Sequence, residues 1–229
     1  MSDGIGSVPL LMRRSARARR VTLRVSALDG RVTLTLPARM AEREALDFAR
    51  GRLPWIRDAL KRAAPQHDVI LGAAIPVEGR TVQIAEGSRA GVTEEHLCVR
   101  KGSAPGPAAR AVLRTLARER LAAASDRYAA ALGRPYSRIA LRDTRSRWGS
   151  CSSSGTLSYS WRLIMAPPVV LDYVAAHEVC HLQEMNHSDR YWALVRDLMP
   201  GFEAPRAWLK TQGQALHGWR FDAEAPASD

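Results

Sequence analysis

No run of about 18 apolar residues occurs in the 229-residue sequence, so no membrane-spanning helix is expected. The first residues hold no apolar core of the kind a secretion signal needs. Their Arg-rich stretch imitates a transit peptide, but it runs straight into a strand pattern. Cysteine is scarce: Cys98, Cys151 and Cys180 are odd in number and widely spaced. That argues against a disulfide framework and for a reducing cytoplasm, with each thiol serving as a small apolar side chain. Lysine is scarcer than arginine, with Lys61, Lys101 and Lys210 the only lysines among 34 basic residues. Internal repeats and low-complexity segments are also missing.

What is present is a globular composition, with 46% apolar residues and a length sufficient for one large or two small domains. The net charge of +11 is unevenly placed: residues 1–62 hold 14 Lys/Arg against 6 Asp/Glu, a balance of +8, and the rest contribute only +3. Such a basic region attracts nucleic acid, acidic proteins or a membrane surface non-specifically. An arginine-favouring genome would produce the same excess without any partner.

Read in order, a basic run from Arg13 to Arg20 leads into Val21, Leu23 and Val25 at alternating positions. Asp29 and Gly30 follow, and Val32, Leu34 and Leu36 alternate again, which predicts a hairpin across residues 20–36. Residues 40–63 read as helical, with Pro54 as a break or the first turn of a second helix. From His67 to Arg100 the pattern is β-like, at Val69–Leu71, Ile75–Val77, Val82–Ile84 and Leu97–Val99. Residues 101–107 form a linker rich in Gly, Pro and Ser. An alanine-rich helix is expected over 108–132, stopped by Gly133 and Pro135, with Arg110, Arg114 and Arg118 as a stripe on one face. Residues 137–160 return to sheet. Pro167 and Pro168 start a helix, Ser188 caps another that runs to Met199, and a last helix is expected over 205–216. The expected division is 1–104 and 105–229.

The chemistry concentrates in His177-Glu-Val-Cys-His181. Two histidines four apart on a helix project from one face and can share a tetrahedral Zn2+, and Glu178 between them is placed as a general base. A third ligand is needed. On a continuing helix Glu184, seven residues after His177, returns to the ligand face, whereas His187 points about 80° away. Asn186 is a helix terminator and Ser188 a helix start, so a sharp turn at 185–187 would instead carry His187 back over the ion. Imidazole suits zinc, which favours His187, with Glu184 as the alternative ligand or a supporting group. The spacing from His181 to His187 matches the metzincin tail, although Glu184 occupies its glycine position. His67, His96 and His217 lack such a setting and read as ordinary histidines.

Together with Arg145-Ser-Arg-Trp148-Gly-Ser-Cys-Ser152, residues 163–168 and 173–188, and Tyr191-Trp192, this pattern strongly resembles the YgjP-like metallopeptidases, relatives of the SprT and WLM zincins. The resemblance extends to the N-terminal basic segment and to Arg206-Ala-Trp208-Leu209-Lys210. It implies an α+β chain, with an N-terminal β-rich region followed by a zincin-like domain. It also implies zinc on His177, His181 and His187, and Glu178 as the base.

The function expected is zinc-dependent hydrolysis of a peptide or protein, with the strands before the metal helix holding an extended substrate. Arg145, Arg147 and Trp148 are candidate substrate-binding residues. Two other classes compete. A metal-dependent nucleotide phosphohydrolase would grip phosphates with Arg145, Arg147 and Arg162. A DNA-associated protein would use the basic N-terminal region to reach DNA-bound substrates. No membrane partner is expected.

Overall fold

The computed structural model describes residues 3–5, 8–26, 30–61 and 65–222, and the chain divides into two compact units, residues 1–66 and 67–229. In the first, strands β1 (Asp3–Ile5), β2 (Val8–Ser15), β3 (Thr22–Val25) and β4 (Val32–Pro37) form a sheet in the order β1-β2-β4-β3. The expected hairpin is the antiparallel β3/β4 pair, with Leu23 opposite Leu34. Residues 27–29 of its turn, Asp29 included, lie outside the described residues. Strand β2, parallel to β4, was not legible, because its alternating Val8, Leu10 and Met12 sit in a segment that begins with polar residues and Pro9. Helices α1 (Glu42–Arg50) and α2 (Leu53–Lys61) follow, with Pro54 in the first turn of α2, where its missing N–H costs nothing. Ala45, Ala49 and Ile56 close a core with Val8, Leu10, Val32, Leu34 and Leu36.

The second unit starts with β5 (His67–Asp68), which pairs in parallel with the closing strand β13 (Trp219–Arg220). Residues 69–71, expected as strand, are not strand. Strands β6 (Ala74–Val77), β7 (Arg80–Gly87), β8 (Gly91–Val92) and β9 (His96–Arg100) make a sheet in the order β6-β7-β9-β8. Glu78 and Gly79, both at positive φ (50° and 77°), turn β6 into β7. A Cβ at Gly79 would also come within 3.1 Å of Pro167. Helix α3 (Pro105–Leu132) has Pro at its first turn and ends on Gly133 in the left-handed region. Its buried stripe of Ala109, Leu113, Ala117 and Leu121 shares one core with Val77, Val82, Ile84, Leu97 and Val99. For that reason the boundary expected at 104/105 falls inside this unit.

The second sheet of this unit has the order β10-β12-β11, from β10 (Arg138–Arg142), β11 (Gly149–Cys151) and β12 (Thr156–Ser160), which leaves β11 at an edge. A 3-10 turn over Trp161–Met165 leads into α4 (Pro168–Cys180), followed by α5 (Asp189–Leu198) and α6 (Glu203–Thr211). The helix expected over 205–216 ends at 211, and residues 213–218 form a 3-10 turn instead. The fold is thus α+β, with β-rich structure before the helical metal-site region. Among the described residues no helix is long and apolar enough to cross a membrane.

Candidate metal centre

Helix α4 is buried nearly all round, at Val170, Leu171, Tyr173, Val174, Ala175, Ala176, Val179 and Cys180, so it presents Glu178 inside the molecule. It ends sooner than the sequence suggests. His181 is already its C-cap, and the N–H groups of Leu182 and Gln183 reach back only three residues, to Val179 and Cys180. The tightened turn replaces the expected continuation to Asn186. It satisfies two terminal carbonyls that would otherwise be orphaned. Ser188 caps α5 as expected, its hydroxyl accepting from the Tyr191 backbone N–H.

This loop brings His177, His181 and His187 together, with one nitrogen from each ring all within 4.8 Å of one another. The Nε2 atoms of His177 and His187 are 3.1 Å apart. That is close to the edge of about 3.3 Å expected between two nitrogens of a tetrahedral zinc site. His181 Nδ1 lies 2.9 Å from the Glu184 carbonyl oxygen. A carbonyl only accepts, so Nδ1 carries the proton and Nε2 keeps its lone pair. Glu184 therefore acts on the cluster through its backbone, and its carboxylate is outside the ligand group. Burial, then His181, His187 and Arg206, hold His177 down to about 3; burial foremost also lowers His181. Both rings are neutral at physiological pH, the form that binds a metal. The donor set and its spacing fit a zinc ion.

Tyr191 backs the cluster. Its ring stacks on His181 at 4.6 Å and meets His187 and His177 edge-on, and its hydroxyl donates to the His177 carbonyl at 2.9 Å. That carbonyl belongs to the last turn of α4, which lacks a full set of helical partners. Trp192 stacks beside His187 at 5.7 Å.

Glu178 is 4% exposed and lies flat on β11. A Cβ on Gly149 would come within 2.5 Å of its Oε1, so glycine is required for this approach. Burial pushes the Glu178 carboxyl up to about 8, against the pull of Arg147 and of a hydrogen bond from the Cys151 backbone. Arg145 and Arg147 are exposed on the loop before β11. Trp148 is half-buried, stacked on His217 at 5.0 Å and packed against Gly213. Arg162 is fully engaged: it holds Asp143 through Nε (2.7 Å) and Nη2 (3.2 Å), and donates to the carbonyls of Leu216 and Trp219. Cys98, Cys151 and Cys180 are unpaired thiols outside the cluster. Sequence reasoning gave no role to Gly149, Tyr191 or Arg206. All three nonetheless fall within the motifs that carry the family resemblance.

No curated protein matches the chain significantly. Among solved structures, the crystal structure of the metallopeptidase zymogen abylysin of Pyrococcus abyssi is similar over 42% of this chain and 95% of its own, with 21% identity and a TM-score of 0.34. The family model of the YgjP-like metallopeptidase domain matches residues 19–212, which include β3 to α6 and the whole histidine cluster. The chain belongs to the YgjP-like metallopeptidase family.

Proposed function

We propose that this metallopeptidase uses zinc, held by His177, His181 and His187, to hydrolyse peptide bonds with Glu178 as general base. The observation that carries the reading is the convergence of three imidazoles, two of them held neutral, beside a carboxyl buried on a glycine-floored strand edge. Zinc held by His177, His181 and His187 would supply Lewis-acid polarisation of the scissile carbonyl and of water. As a carboxylate, the form that the charge of a bound zinc would favour over the raised value of the metal-free site, Glu178 would take the proton of the attacking water and deliver it to the leaving amine. Its fixed place against Gly149 and the Cys151 backbone keeps it aimed without help from the substrate. The outer edge of β11, apart from the Cys151 N–H that Glu178 takes, is read as pairing with an extended peptide, which would align it beside Glu178. We assign Arg147, whose charge acts on Glu178, to the substrate carbonyl side, and Arg145, exposed on the same loop, to a supporting substrate contact. Trp148 positions their loop through its packing on His217.

The phosphohydrolase alternative is weakened because Arg162, one of its three phosphate grips, is engaged by Asp143 and two carbonyls. Polyanion contact by the first unit remains a separate proposal. Arg13 and Arg24 are exposed on the sheet face opposite the buried Leu10 and Leu34, and binding there would weaken steeply with salt. The test of the main reading is metal content followed by cleavage of a denatured-protein and nucleotide panel. One equivalent of zinc, and proteolysis lost in Glu178→Gln, is the expected result; zinc-free protein, nucleotide turnover, or cleavage shared by both variants would overturn it.

A further inference from the structure

Several arginines of the second unit that brace the fold are neutralised at close range: Arg120 by Glu78 (2.6 Å), Arg127 by Asp172 (3.0 Å), Arg162 by Asp143 (2.7 Å) and Arg220 by Asp68 (2.6 Å). Arg206 differs. Its guanidinium carbon lies 4.3 Å from the centroid of the Trp192 ring, and its side chain makes no hydrogen bond or ion pair among the described residues. It is nonetheless held. Helix α6 presents Arg206 one turn after Phe202, and Phe202 also stacks on Trp192, at 5.6 Å.

Trp192 is also the neighbour of the histidine cluster, with centroid separations of 5.7 Å to His187 and 6.0 Å to His177. The cation therefore stands one ring from the reacting centre. A stacked guanidinium keeps its planar fork oriented, so less freedom is lost when an oxyanion arrives, and the fork matches a carboxylate in two parallel bonds. An oriented arginine without an anion, at the rim of a peptide-hydrolysing site, is a vacant half of such a pair.

We propose that Arg206, held over the Trp192 ring, is the specificity-determining residue of the site and receives a carboxylate of the substrate, either the peptide's C-terminal carboxylate or an Asp/Glu side chain. This rests on the peptidase reading above. The experiment uses the zinc-loaded full chain and two pairs of fluorogenic peptides. One pair differs only in a free-acid or amide C-terminus, the other only in Glu or Gln beside the scissile bond. The readout is the ratio of kcat/KM within each pair. The expected wild-type ratio is on the order of ten- to a hundredfold, carried by KM, in the pair that contains the true source. It falls towards unity in Arg206→Gln and is partly kept in Arg206→Lys. A wild-type ratio near unity in both pairs, or a ratio that Arg206→Gln leaves intact, overturns the proposal; the second result would mean a purely structural or oxyanion role. Calorimetric binding of the same peptides to zinc-loaded Glu178→Gln decides the matter independently of turnover. A carboxylate preference that vanishes on adding Arg206→Gln supports the proposal even if the wild type cleaves nothing, which would retire the peptidase reading alone. Equal or absent binding within both pairs overturns the proposal.

Discussion

The two units of the chain bury different things. Residues 8–61 enclose Val8, Leu10, Val32, Leu34, Leu36, Ala45, Ala49 and Ile56, with no buried polar side chain among the described residues. Residues 67–222 bury Ser125, Ser160, Glu178, His181 and His217 within a larger apolar core. A buried polar group costs free energy unless it is partnered. Ser125 answers that cost with the Tyr159 hydroxyl at 3.0 Å, and His181 with the Glu184 carbonyl. Glu178 answers it only in part, and its carboxyl is pushed up to about 8. His177 Nδ1 is buried without a partner among the described residues. The described core of the first unit is apolar throughout. The second tolerates incompletely partnered polar burial, at Ser160 Oγ and above all at His177 and Glu178, where a metal and a water would complete it.

That contrast can be broken most forcefully at Glu178. Glu178→Gln should keep its zinc, measured by elemental analysis, while peptide hydrolysis falls by about 10²–10⁴. His187→Ala should lose both. A core substitution in the first unit should behave in the opposite way: Leu34→Ala should cost about 2–5 kcal/mol of that unit's stability in denaturant, yet leave the zinc affinity of the chain unchanged. If zinc affinity drops with it, the two cores are not separate. Gly149→Ala sits where packing and chemistry meet. Its added Cβ collides with Glu178, so roughly 1–3 kcal/mol of stability should go, with a loss of hydrolysis exceeding what unfolding explains. The smallest effect concerns Asp143. Burial tends to raise its carboxyl, but the Arg162 fork overcomes this and holds it below its ordinary value. A carboxyl depressed in the folded state stabilises the protein above its unfolded-state pKa, and the gain fades as pH falls through the native value. The melting-temperature difference between wild type and Asp143→Asn should therefore be full near neutrality and shrink below about pH 4. It is worth at most about 1 kcal/mol because the carboxylate is partly exposed.

Local spacing made much of this legible. The β3/β4 hairpin follows from alternation around Gly30, and the body of α3 from its alanines before Gly133, although residues 105–107, expected as linker, form its first turn. His177, Glu178 and His181 follow from the helical repeat. What escaped was non-local or conformational. Strand β2 takes its meaning from parallel pairing with a strand more than twenty residues away. The end of α4 at Cys180 was obscured by residues that propagate a helix well, and a tightened turn won because it could cap the last carbonyls.

By itself, the sequence determined the chemical inventory: two histidines and a carboxylate in fixed helical relation, a third histidine within reach, and an α+β chain to carry them. Helical geometry is local, so spacing alone suffices for that much. Only the tertiary structure decided that the Glu184 backbone orients His181, that Gly149 makes room for Glu178, and that Arg206 stands over Trp192 beside the cluster. These relations join residues on separate elements, and their distances are set by how β11, α4, α5 and α6 pack rather than by any interval along the chain.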